Sequence, residues 1–433
     1  MGYSEVLCRI CGVSFNINRF RIDQEPPSAA LSGYLYVDPS ECPDKGECCF
    51  VQASLPTTEQ IKYPASEFHN SGLNEEDVEH IPGPDCGQCA AYNGHHISVE
   101  AMKGCNTFQC LVYKPQDWKT LPDDEEFEAK GDYFLSGLGD KMPSRDIDWP
   151  AVFPHRHGMD SPRADPCIWD LDEANEYAMP FHPTCLEIFK RVSLHRHGVV
   201  NIHGLTQWWR IENTYRDFHD FPREKAVKDG QEQWWNHEIG SEYVVANPCL
   251  IPGFESLLQS CQDSDTSDSQ PILTTIPTEA SKNDPFSKLP PEILHSILVH
   301  LNFQDVANLR LTSRLFLQLP NPVLYELTIR HTPWLYEAWT SLPLSFWATT
   351  TQNAIEEEWE STSDFNRVPH PAMPVNQLSR TGTNWLQLQT EISRNWGKLL
   401  GLKNRRRIWT DCEEILNRVD RYRDQDKIKN RSF

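Results

Sequence analysis

The stretch DPFSKLPPEILHSILVHLNFQDVANLRLTSRLFLQLPNPVLYELTIRH, residues 284–331, decides the fold of the C-terminal half. Pro290-Pro291-Glu292 predicts a helix start, because proline is tolerated in the first turn and an acidic side chain suits the positive end of the helix dipole. Asn302, three residues before Asp305, predicts the cap of a second short helix. The stretch therefore reads as a series of short, leucine-rich helices.

These helices carry more apolar side chains than they can bury among themselves. A third helix is expected to begin at Thr312 or Ser313 and to end before Pro320. Three short helices in about forty residues leave apolar surface that another domain or another chain must cover. Periodicity alone does not choose between internal packing and a partner.

The same stretch resembles an F-box, whose pattern is a Leu-Pro-x-Glu-Ile-Leu start, a leucine-rich first helix, an Asp-Val step and a Ser-Arg before an aromatic residue. The matching residues are Leu289, Pro290, Glu292, Ile293, Leu294, Ile297, Leu298, Leu301, Asp305, Val306, Leu309, Ser313, Arg314 and Phe316. Two positions depart mildly from the pattern, with Leu311 where valine is common and Phe316 where tryptophan is common.

The resemblance implies a subunit of a Skp–cullin–F-box ubiquitin ligase. Such a subunit binds the Skp-type adaptor, and through it a cullin, and recruits an unidentified target protein without catalysing a reaction itself. The adaptor-binding residues that it implies are Leu289, Pro290, Ile293, Leu294, Ile297, Leu298, Leu301, Val306, Leu309 and Phe316.

Two residue pairs, far apart in the sequence, predict a metal site in the N-terminal half. Cys8 and Cys11 have two residues between them, a spacing that can close one side of a metal tetrahedron. His182 and Cys185 have the same gap, and Pro183 with the apolar run after it predicts a helix start, where a thiolate is favoured. Four protein ligands leave no open position for chemistry, so we expect a structural zinc ion.

The motif CGQC, with Cys86 and Cys89, is the alternative completion of this site. Because loop-closure entropy grows slowly with length, spacing selects neither pair. The explicit helical context favours His182 and Cys185. A second site built on CGQC would draw on Cys105 and Cys110, or on His95 and His96. Cys42, Cys48 and Cys49 are expected to be loop or core cysteines.

A second resemblance covers scattered motifs over most of residues 1–330. The chain is similar to a group of fungal F-box proteins that start with a CxxCG knuckle, here CRICG at 8–12. They carry stretches similar to YNGHHISVEAMKGCNTFQCLV and MPFHPTCLEIFKR. This resemblance fits the pairing of the two halves of the predicted zinc site.

The formal net charge of −22 disfavours nucleic acid and anionic membranes as partners. A basic stretch begins at Lys403 and includes Arg405, Arg406 and Arg407; we expect it to form a solvated, salt-bridged helix face. The first residues, MGYSEVLCRIC, lack the basic end and apolar core of a signal peptide, and no apolar run reaches the length of a membrane span, so neither is expected. Fourteen cysteines that read as thiols or metal ligands indicate a reducing compartment, so a cytoplasmic or nuclear location is expected.

Shifts in composition predict an α+β fold in several segments. The segments are a Cys/His-rich N-terminal domain at 1–258, an acidic Ser/Thr-rich linker at 259–284, the F-box at 285–331 and a helical region at 332–433. Runs such as LSGYLYV at 31–37 and TFQCLVY at 107–113 predict strands. We therefore expect a mixed α/β block with a structural zinc site, followed by an all-α F-box and C-terminal helices.

The sequence contains none of four common enzyme motifs, namely G-x-S-x-G, H-E-x-x-H, the P-loop and G-x-G-x-x-G. Substrate recruitment for a ubiquitin ligase is therefore the favoured function. The first alternative is a metal-stabilised interaction module that acts outside a ligase. A zinc-dependent hydrolase or transferase in the N-terminal block is less favoured, and it requires an open position on the metal.

Overall fold

The computed structural model describes most of the chain. The described residues are 5–31, 42, 47–64, 66–67, 77–114, 119–120, 124–140, 178–231, 235–262, 284–316, 319–361 and 372–428. Two predicted features fall largely outside them. Only the first residue of the predicted strand at 31–37 is described, and only the two ends of the predicted linker at 259–284.

Backbone contacts group the chain into two compact units. The first consists of Met1–Ile251, Ser345–Pro371 and Leu400–Phe433, and the second of Pro252–Leu344 and Ala372–Leu399. The segment predicted as one C-terminal helical region thus contributes to both units. The predicted domain boundaries stay a prediction, whereas the predicted mixture of strands and helices is confirmed.

The strands of the described residues all lie in the first unit. In chain order they are β1 (Arg19–Phe20), β2 (Cys49–Gln52), β3 (Tyr63–Pro64), β4 (Val78–Ile81), β5 (Tyr92–Asn93), β6 (Thr107–Tyr113), β7 (Tyr133–Leu135), β8 (Gly139–Asp140) and β9 (Ala178–Phe181). β1 pairs with β5 in parallel, β2 lies between β3 and β4, and β6 pairs with β7, β8 and β9. β6 coincides with the strand predicted from its β-branched and aromatic residues.

The helices are distributed over both units. In chain order they are α1 (Glu126–Lys130), α2 (Pro183–His197), α3 (Ile202–Ile211), α4 (Tyr215–Asp220), α5 (Lys225–Gly230), α6 (Phe254–Ser260), α7 (Pro291–His300), α8 (Phe303–Thr312), α9 (Asn321–His331), α10 (Gln352–Ser361), α11 (Trp385–Arg394) and α12 (Leu400–Asp424). In the first unit, α12 packs against α2 and α3. Among the described helices, none combines the length and the apolar composition needed to cross a membrane.

Helix α2 begins where the sequence predicts it. His182 is the N-cap residue in extended backbone, and Pro183 fills the first helical position, where its missing N–H is not needed. Gly198 ends the helix at φ 74°, a left-handed conformation that glycine adopts without strain. Because most of α2 is buried, its N-terminus is fixed inside the first unit.

The basic stretch at the start of α12 is not the solvated face that the sequence predicts. Arg405 and Arg407 are both buried. Arg405 Nε donates to the carbonyl oxygen of Pro248 at 2.7 Å, and Arg407 Nη1 pairs with Asp411 Oδ2 at 3.0 Å. Charges can be buried only with such partners. Arg406, between them, is exposed.

In the second unit, α7 and α8 begin as predicted. Pro291 is the first residue of α7, and Asn302 Oδ1 accepts from the N–H of Asp305 at 2.8 Å at the start of α8. The third helix expected from Thr312 or Ser313 is not an α-helix among the described residues. They form only a 3₁₀ turn, Arg314–Phe316, before α9 begins. Pro320 is the N-cap residue of α9, so a new helix starts directly after it.

The core of residues 284–331 draws its buried side chains from α7, α8, the Arg314–Phe316 turn and α9. Its buried side chains are Leu294, Leu298, Val306, Leu315, Phe316, Val323 and Leu327. Partly buried apolar side chains close its edge, namely Phe286, Leu289, Leu301, Phe303, Leu309 and Leu319. The stretch therefore has an internal core of its own.

Candidate metal centres and F-box surface

The segment around Cys8 and Cys11 folds as a tight knuckle. The N–H of Gly12 donates to the carbonyl oxygen of Cys8 at 2.8 Å, and the N–H of Cys8 donates to Val13 at 2.9 Å. Gly12 has a φ of 76°, and a Cβ there would lie 2.3 Å from Arg223 Nε. The turn therefore requires glycine for both its conformation and its space.

The other half of the predicted site lies where β9 runs into α2. His182 follows the last residue of β9, and Cys185 lies in the first turn of α2. The N–H of Arg9 donates to the carbonyl oxygen of Pro180 at 3.0 Å, which joins the knuckle to β9. This backbone hydrogen bond and the start of α2 at His182 bring the two pairs to one place.

We call Cys8, Cys11, His182 and Cys185 the first cluster. Their ligand atoms all lie within 4.8 Å of one another, and all four residues are buried. Cys11 Sγ and Cys185 Sγ lie 3.5 Å and 3.9 Å from His182 Nδ1. Zinc bonds of about 2.1–2.3 Å at tetrahedral angles place ligand atoms about 3.5–3.8 Å apart, so the side chains fit a closed zinc site.

Further hydrogen bonds orient the ligands of the first cluster. His182 Nε2 lies 3.0 Å from the carbonyl oxygen of Cys105, which assigns the ring proton to Nε2 and leaves Nδ1 to face the thiols. The backbone N–H groups of Cys11 and His182 donate to Cys8 Sγ at 3.5 Å and 3.4 Å. Donors of this kind favour a thiolate, the form that binds metal.

The electrostatics of the first cluster favour a cation. Burial opposes charge on His182, yet the charges of Cys8 and Cys11 raise its pKa to about 10. Burial also opposes ionisation of Cys11, but hydrogen bonds from Cys185 and Cys8 and the charge of His182 lower its pKa well below the ordinary value. Burial raises the pKa of Cys185. The negative charge on sulfur that favours a proton on His182 equally favours a divalent metal, which would replace that proton on binding.

A second cluster consists of Cys42, Cys48, His80 and Cys86. The sequence does not predict that these four residues come together. All four are buried, and their ligand atoms also lie within 4.8 Å of one another. Of the three cysteines expected to be loop or core residues, Cys42 and Cys48 belong to this cluster and Cys49 does not. Five residues separate Cys42 from Cys48 and five separate His80 from Cys86, whereas the two pairs meet because β2 and β4 pair.

The other residues proposed for a site on CGQC lie outside both clusters. Cys89 is exposed, and Cys110 is buried in β6. His95 Nε2 and His96 Nε2 lie within hydrogen-bond distance of the carbonyl oxygens of Pro82 and Pro84. CGQC therefore contributes Cys86 alone to a metal-type cluster among the described residues.

The ten residues predicted to bind an adaptor divide by burial. Leu294, Leu298, Val306 and Phe316 are buried in the F-box core. Leu289, Ile297, Leu301 and Leu309 are half-buried, and Pro290 and Ile293 are exposed. Ile293 is 48% exposed, and Leu311, which was noted only as a departure from the pattern, is 86% exposed. Adaptor binding by these residues stays a prediction, and the buried ones also maintain the fold.

Residues 286–322 match the family model of the F-box domain. The chain contains an F-box domain. The match covers all but the first residue of the 3₁₀ turn Pro285–Lys288, then α7, α8 and the start of α9. The capped helices described above are therefore those of the F-box. F-box domains typically bind Skp-type adaptors with a cullin behind them, and F-box proteins are generally non-catalytic subunits that recognise substrates for such ligases.

The match to a curated protein covers a short stretch of the chain. A stretch of 61 residues, 14% of this chain, is 41% identical to a mitochondrial ATP-dependent RNA helicase, mss116, of Aspergillus oryzae. The chain spans 9% of that relative's length. No solved structure matches the chain.

Proposed function

We propose that this chain is the substrate-recruiting subunit of a Skp–cullin–F-box ubiquitin ligase. The F-box match at residues 286–322 carries the proposal. The chain would bind the Skp-type adaptor through its F-box and hold a target protein elsewhere. Its contribution to ubiquitin transfer is proximity, because tethering raises the effective concentration of a target lysine near the charged thioester.

The adaptor surface in this proposal consists of apolar side chains that the F-box leaves outside its core. Ile293 and Ile297 lie one turn apart on the same face of α7. Leu311, near the end of α8, presents its side chain to solvent. Burial of such residues in an interface removes apolar area from water, which favours association.

The first cluster supports a structural zinc ion rather than a catalytic one. Its three thiol groups and one imidazole match the donors that zinc takes in closed sites. A catalytic zinc keeps a position open for water or substrate, and four protein ligands fill the tetrahedron. In this proposal the zinc-stabilised first unit recognises the target, in the cytoplasm or the nucleus.

Co-expression with a Skp-type adaptor tests the proposal. We expect the intact chain and the adaptor to co-elute on gel filtration, and the variant Ile293→Asp/Leu311→Asp to elute alone. Ile239→Asp is the matched control, since Ile239 is 65% exposed and lies in the first unit. A folded chain that never binds the adaptor would contradict the proposal and favour an interaction module acting outside a ligase.

A further inference from the structure

We propose that the second cluster, Cys42, Cys48, His80 and Cys86, holds a second structural zinc ion, separate from the first. Three thiols and one imidazole are soft and borderline donors, a set that selects zinc over magnesium or calcium. The four ligands again complete a tetrahedron without an open position. This inference concerns the metal content of the first unit and does not depend on the ligase role.

The distances within the second cluster suit a zinc ion. Cys42 Sγ lies 3.2 Å and Cys86 Sγ 3.9 Å from His80 Nε2, close to the roughly 3.5 Å that tetrahedral zinc imposes between nitrogen and sulfur ligands. The N–H of Gly83 donates to Cys48 Sγ at 3.4 Å. A backbone donor stabilises a thiolate there, the form that a metal binds.

Strand pairing positions the ligands. His80 lies in β4 directly opposite Phe50 of β2, and Cys48 immediately precedes β2. The His80 ring stacks on Phe50 with centroids 5.1 Å apart and lies at 81° to the Phe20 ring with centroids 4.8 Å apart. These rings orient the imidazole, while the turn after β4 returns Cys86 to the same place.

A metal explains the composition of the core at this position. The buried cluster consists of Phe20, Cys42, Cys48, Phe50, Val78, Cys86 and Ala91. Three of its seven members are cysteines, and His80 packs against two of the others, Phe20 and Phe50. Because four ligand atoms converge rather than two sulfurs alone, a metal accounts for the set better than a disulfide does.

The metal content of the intact chain tests the inference. We expect native mass spectrometry of the zinc-loaded chain to show two zinc ions, one for each cluster. Cys86→Ser is expected to reduce the content from two to one. Cys89→Ser, the matched control from the same CGQC motif, should keep both because Cys89 is exposed and outside the clusters. A folded wild-type chain with one zinc ion, or a Cys86→Ser variant with two, would overturn the proposal.

Alkylation of the wild-type chain provides a second measurement that needs no variant to fold. Cys89 should react with iodoacetamide in the native chain, whereas Cys86 should react only after a zinc chelator is added. Both reactions are run without denaturant. A difference in Cys86 reactivity then reflects removal of the metal and not unfolding of the chain. A Cys86 reaction rate that the chelator does not alter would count against the second site.

Discussion

The guanidinium of Arg407 donates to the carbonyl oxygen of Cys11 at 3.1 Å, although the two residues are 396 positions apart. The same side chain pairs with Asp411 one turn further along α12. Both charged groups are buried. Helix α12 thus holds the knuckle of Cys8 and Cys11 in place through Arg407, whose charge is paired with Asp411.

Removing the charge of Arg407 is expected to destabilise the first unit. Arg407→Met leaves Asp411 buried without its partner, a change that typically costs about 3–5 kcal/mol. Arg406→Met is the matched control, because Arg406 is exposed on the same turn. Thermal unfolding should show a lower midpoint for the first variant alone. Equal midpoints would mean that the ion pair does not support the knuckle.

Substitution of Gly12 should disrupt the knuckle directly. Gly12→Ala introduces left-handed strain of about 1–2 kcal/mol and a steric overlap with Arg223. The expected result is a lower unfolding temperature and weaker metal retention. Gly87→Ala is the control, since nothing lies within 4 Å of a Cβ placed there. Indistinguishable behaviour of the two variants would show that the turn tolerates a side chain.

The two clusters should lose metal in a fixed order. His182 Nε2 has the carbonyl oxygen of Cys105 as its outer partner, whereas His80 Nδ1 is buried without one among the described residues. Outer partners are typically worth about 10- to 100-fold in metal affinity. A colorimetric chelator should therefore empty the second cluster first, and Cys86→Ser should remove the earlier phase. Loss of the later phase in that variant would reverse the order.

Core and surface positions of the F-box should respond differently. Leu298→Ala removes a fully buried side chain and is expected to cost about 2–5 kcal/mol. Ile293→Asp, at a half-exposed position on the same helix, should leave the unfolding temperature nearly unchanged. Circular dichroism melts of both variants check this. A large destabilisation by Ile293→Asp would mean that Ile293 belongs to the core.

The sequence was sufficient to predict those features that depend on residues within one helical turn. The starts of α2, α7 and α8 followed from Pro183, Pro291 and Asn302, because capping and proline effects act within one turn. The helical context of His182 and Cys185 also selected the pair that the structure brings to Cys8 and Cys11.

The sequence did not predict features that depend on contacts between distant segments of the chain. The second cluster forms because β2 and β4 pair, and no local sequence pattern predicts that pairing. Arg407 and Asp411 have the i, i+4 spacing of a solvated surface pair, yet packing of α12 against α2 and α3 buries them. Spacing shows that two charges can meet, whereas their burial depends on the surrounding fold.

Calorimetric titration of a Skp-type adaptor into the intact, zinc-loaded chain tests the central claim most directly. We predict saturable binding with one adaptor per chain, weakened about 100-fold or more by Ile293→Asp, which would place an unpaired charge in the interface. The Ile239→Asp control should bind like the wild type. A folded chain that gives no binding, or an Ile293→Asp variant that binds as tightly as the wild type, would contradict the account.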